Sequence, residues 1–73
     1  MQALTAKELE YIADSMSNED LLIKQCAVAA ATITTPALQQ TIANMISVHT
    51  QHYAQLMSAL QQHQPLAPTA PQA

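Results

Sequence analysis

The chain has 73 residues, a formal net charge of −3, one cysteine and no glycine, tryptophan or phenylalanine. A chain this short buries only about 60% of its unfolded surface, so disulfides, a metal or a partner must supplement its core. One cysteine, Cys26, excludes an intrachain disulfide, no Cys/His grouping has zinc-finger spacing, and Lys7 and Lys24 are too few for a phosphate-binding stripe.

The same two cations make an anionic lipid surface a poor partner, and no apolar run reaches the ~18 residues of a transmembrane helix. No charged leader followed by an apolar core opens the sequence, so an intracellular protein with a reduced cysteine is expected. The absence of glycine removes the easy left-handed positions of hairpin turns. Abundant alanine and glutamine favour helix. The expected class is all-α.

Thr5-Ala6-Lys7-Glu8 is a capping box, and Leu4 and Leu9 stand in its hydrophobic-staple positions. They start a first helix predicted over about 6–33. Its apolar face reads Leu9, Ile12, Ala13, Met16, Asp20, Ile23, Ala27, Ala30 and Ala31. Ser17-Asn18-Glu19-Asp20 is its weakest segment, but the pattern stays in phase across it, so one continuous helix is preferred. Thr34-Thr35-Pro36 ends this helix and begins another, with Thr35 as N-cap and Pro36 at the first helical position. The second helix is predicted over about 36–63, with Leu38, Ile42, Met45, Ile46, His49, Tyr53, Leu56 and Leu60 inward. Each helix is roughly 42 Å long. Residues 64–73 carry Pro65, Pro68 and Pro71, and read as a polyproline-prone or disordered tail.

So short a connection makes the helices antiparallel neighbours. The expected fold is therefore an antiparallel helical hairpin dimerising into a four-helix bundle. The motive for dimerisation is apolar surface off the main face: Leu21, Leu22, Cys26, Ala29 and Ile33 on the first helix, Met45 and Val48 on the second. These residues are the expected dimer interface, and the second copy is the expected partner.

Two polar residues interrupt the apolar faces. In a hairpin turning near Thr34 and Thr35, facing residues have numbers summing to about 69. That places Asp20 opposite His49, and a structural pair inside the bundle is the preferred reading. The alternative is a metal site. His49-Thr50-Gln51-His52 puts two imidazoles on one side of the helix, and Glu19 and Asp20 offer carboxylates from across the seam. Iron, manganese or zinc would be the ion, although a diiron site needs more carboxylates than these. His63 is expected to favour the helix C-terminus through the dipole. No nucleophile–base pair and no phosphate-binding loop is present, so no enzyme is expected.

Three stretches carry a family resemblance: Leu4-Thr5-Ala6-Lys7-Glu8-Leu9, Asp14-Ser15-Met16-Ser17-Asn18-Glu19, and the helix bearing His49-Thr50-Gln51-His52-Tyr53. Together they resemble the coat F family of bacterial spore coat proteins in its short clostridial form. The resemblance implies a ferritin-like helical arrangement and a structural role in the spore coat. It also implies other spore coat proteins as partners, and assembly from the mother-cell cytoplasm onto the forespore. A ferritin-like metal-binding protein and a small adaptor with a docking tail are the alternatives.

Overall fold

The computed structural model describes residues 3–66. They form two long helices, α1 (Ala6–Thr32) and α2 (Pro36–His63), followed by a single 3-10 turn at Gln64–Leu66. The tail expected from residue 64 thus begins as a continuation of α2, and its remainder lies outside the described residues. Among the described residues no helix is long and apolar enough to cross a membrane.

Local chemistry sets the helix ends. The capping box at the start of α1 is complete. The Thr5 hydroxyl accepts from the Glu8 N–H at 3.0 Å, and the Thr5 N–H donates to Glu8 Oε1 at 2.9 Å. These satisfy two of the amide groups that a helix start otherwise leaves without partners. α1 runs unbroken through Ser17–Asp20 and stops with Ile33 in extended conformation. Thr35 occupies the N-cap of α2 with Pro36 just inside, but the Thr35 side chain makes no capping bond. The turn is held instead by Gln39, whose Nε2 donates to the Ile33 carbonyl at 2.6 Å. This closes one of the carbonyls left open by the end of α1.

The Glu8 carboxyl is held below the usual carboxylate range by the Thr5 backbone N–H first and the Thr5 hydroxyl second. A group whose folded-state pKa is depressed adds stability above its unfolded value and loses it as pH falls through the folded value. The α1 N-terminus should therefore fray on acidification through the carboxylate range, and Glu8→Gln should abolish that part of the pH dependence. Thr5→Ala should lower stability by about 1 kcal/mol at neutral pH. Urea midpoints of the three proteins against pH check both statements.

The seam between the helices follows a seven-residue repeat. On α1 the inward run of half-buried or buried positions is Leu9, Ile12, Met16, Glu19, Ile23, Cys26, Ala30 and, just past its end, Ile33, alternately three and four residues apart, with half-buried Asp20 and Ala29 flanking it. On α2 the inward run is Ile42, Ile46, His49, Tyr53, Leu56, Leu60 and His63, in the same alternation, with half-buried Met57 and Ala59 flanking it. This is the inward spacing of a coiled coil. An ideal 3.6-residue reading drifts by about 20° per heptad from such a repeat. The drift explains six differences from the sequence-based faces. Ala27 and Ala31 are exposed, while Cys26 and Ile33 point into the seam. Leu38 and Met45 are exposed rather than inward.

Cys26 requires a correction. It was expected at a dimer interface, but it is buried between the two helices of one chain, at 7% exposure. With Met16 it makes up the whole buried apolar core of the described residues, and no side chain among them is completely enclosed. Two helices offer each other one stripe apiece, so a hairpin alone leaves the rest of each circumference in water.

Candidate functional site

Near the middle of the hairpin the seam turns polar. Glu19 comes from α1, and His49 and His52 come from adjacent turns of α2. His49 Nδ1 lies 2.6 Å from Glu19 Oε2, and His52 Nδ1 lies 3.2 Å from Glu19 Oε1. Both oxygens of one carboxylate are thus engaged by two imidazoles. The rings meet edge to face, with centroids 6.0 Å apart. For each to donate from Nδ1, each must carry its proton there, an assignment made by the geometry. The Glu19 and His49 side chains are 17% and 18% exposed, and that of His52 is 49% exposed. The cluster has an inner wall and one face open to water.

Helix geometry explains why these residues meet. Glu19 and His49 occupy opposing inward positions of the repeat, and His52 lies one turn beyond His49 at the edge of the seam. The pairing expected from the number sum is therefore displaced by one residue. Asp20 does not meet His49. Its Oδ2 lies 2.8 Å from Lys24 Nζ in an exposed pair one turn along α1. The Lys24 ammonium is held above its ordinary value by its hydrogen bond to Asp20 and then by the carboxylate's charge. Of the four residues proposed as metal ligands, Glu19, His49 and His52 converge, and Asp20 turns away toward Lys24. The physical reason is again the period. Counting at 3.6 residues per turn carries the inward stripe from Met16 to Asp20, whereas the 3.5-residue seam takes Glu19.

His63 is a residue whose role the sequence did not disclose. Expected only to favour the helix C-terminus through the dipole, it is buried at 8% exposure. Its Nδ1 accepts a hydrogen bond from the Leu4 N–H at 3.0 Å. That ties the lead-in of α1 to the end of α2. The repeat itself was the available signal, since His63 falls on the inward position after Leu60.

An open groove of about 440 Å³ is lined by Ala13, Met16, Ser17, Asp20, Tyr53 and Leu60. It lies on the other flank of the seam from His52. Its only charged group, Asp20, is already paired with Lys24, so no set of polar groups converges there to orient a ligand.

Apart from Tyr11 and Leu66, the exposed large apolar side chains of the described residues fall into two groups. Leu22 of α1 and Leu38, Met45 and Val48 of α2 border the seam on the His52 side. Leu21 and Val28 project from the back of α1, opposite the seam, at 53% and 68% exposure. Ala29 lies beside Leu22 on the first flank and is half-buried.

Comparison of the chain with protein-family models, with curated proteins and with solved structures gives no match.

Proposed function

We propose that the protein is a structural, self-associating helical module in which two hairpins pair through the Leu22, Leu38, Met45 and Val48 flank into a four-helix bundle. The observation that carries this reading is the thinness of the single-chain core, two buried apolar residues among those described, beside that exposed apolar flank. Full burial of a leucine, valine or methionine is worth about 1.5–3 kcal/mol over leaving it in water. A second copy presents the same flank, so one symmetric contact covers both. The sequence resemblance supplies the setting: a component of the bacterial spore coat, made in the mother-cell cytoplasm and assembled with other coat proteins. It is a role in assembly, without a catalytic step.

Sedimentation equilibrium at micromolar concentration is expected to give twice the 7.9 kDa chain mass. Leu22→Lys combined with Met45→Lys should shift the mass to that of one chain, because four like charges would face each other across the seam of the bundle. A wild-type mass of 7.9 kDa throughout that range would reject the reading.

A further inference from the structure

We propose that Glu19, His49 and His52 form a mononuclear site for a divalent transition-metal ion of the zinc class, clasping α1 to α2 at the middle of the hairpin. One carboxylate oxygen and one ring nitrogen from each histidine lie within 4.8 Å of one another. Zinc takes nitrogen and oxygen ligands at about 2.0–2.2 Å, which in a tetrahedron sets neighbouring ligands about 3.4 Å apart. His52 and Glu19 are already near that spacing at 3.2 Å. His49 lies 2.6 Å from the other oxygen, Oε2, so a rotation of the Glu19 carboxylate and a small side-chain shift bring all three ligands to that spacing from a separation of at most 4.8 Å. The Nδ1 protons are no obstacle, because a neutral imidazole keeps its single proton on Nε2 when Nδ1 binds metal.

The charge balance points the same way. The chain has two permanent cations, Lys7 and Lys24. Lys7 pairs with Glu10 and Lys24 with Asp20. Glu19, mostly withdrawn from water, therefore faces two imidazoles and no permanent positive charge. A carboxylate in that position is costly to bury without compensation. A divalent ion supplies the missing charge, and on the single hairpin the half-exposed edge of His52 gives it a path in before a second copy covers that flank. Two imidazoles out of three ligands select against magnesium and calcium, which prefer all-oxygen sites. Cys26 stands two turns along α1 from Glu19 and contributes no thiolate.

Equilibrium dialysis of the full chain after chelator treatment should show one zinc ion per chain, a weaker manganese isotherm and no competition by millimolar magnesium. The cobalt-substituted protein should show visible bands of a nitrogen- and oxygen-ligated ion and no thiolate charge-transfer band. His52→Ala removes a half-exposed ligand and should leave the helix content intact. Changes in the outer shell of metal sites already weaken binding 10–100-fold, so loss of a direct ligand should weaken zinc binding at least about tenfold. Glu19→Gln should do the same. The proposal is overturned if zinc binds wild type and His52→Ala with equal affinity. It is equally overturned if binding is abolished by Cys26→Ser but not by His52→Ala, or if wild type binds no zinc at stoichiometric micromolar concentrations.

Discussion

Replacing His49 by leucine is expected to destabilise the metal-free protein by about 2 kcal/mol, and restoring symmetry with Glu19→Leu should recover most of that loss. Breaking a fully buried pair costs about 3–5 kcal/mol because the remaining charge is stranded. The Glu19 side chain is 17% exposed, so some water still reaches it and the expected cost is smaller. His52 stays as a second, longer partner at 3.2 Å. The opposite single change, Glu19→Leu, leaves two imidazoles that can still reach water through the exposed His52 edge rather than a stranded carboxylate, and should therefore cost less. In the double variant two leucines meet at opposing inward positions, which is the ordinary filling of a coiled-coil seam. Chemical denaturation of wild type, both single variants and the double variant gives the coupling directly. A coupling energy below about 0.5 kcal/mol would mean that the two residues act independently. Asp20→Leu combined with His49→Leu serves as the control. Asp20 is bonded to Lys24, so these two changes should simply add.

Met16→Ala is expected to cost about 2–3 kcal/mol, the lower part of the range for truncating buried methionine or leucine. Met16 is 9% exposed and, among the described residues, only Cys26 is an apolar side chain buried as deeply. A domain of this length has a total stability on the order of 4–11 kcal/mol, so one truncation removes a large fraction of it. Val28→Ala provides the contrast. Val28 is 68% exposed on the back of α1, and surface changes generally stay within about 0.5 kcal/mol. Urea melts at a fixed low protein concentration separate the two. Equal effects would place the apolar core somewhere other than the seam.

Much of this architecture was legible because it depends on chemistry a few residues long. The Thr5–Glu8 box and the Thr35-Pro36 start are local signals, and the helices begin where those signals stand. The continuity of α1 through Ser17–Asp20 followed from the absence of any proline or glycine there. What a 3.6-residue wheel lost was phase. The error was a single residue at the centre of α1, enough to exchange Glu19 for Asp20 and to turn Cys26 outward. Glu19, His49 and His52 were recognisable as candidates from their residue types, but their meeting depended on how the two helices coil about each other. The Leu4–His63 bond was further out of reach, since it joins residues 59 apart in sequence through the path of a non-helical lead-in.

That bond also shapes how the hairpin bears tension. The lead-in at Leu4 and the exit at His63 lie at the same pole, opposite the turn closed by Gln39. A pull applied between them first loads a single hydrogen bond. Beyond it the helices peel apart layer by layer, as a zip opens, because the load meets the packed layers one after another instead of shearing them all at once. Resistance at any moment is then the strength of one layer, which for most of the seam is a pair of aliphatic or aromatic side chains. The layer of Glu19 and His49 lies near the midpoint of that track, where two helices that have begun to separate meet a directional, charged contact. The molecule should yield easily from its open end and catch halfway, with the turn-side half still closed.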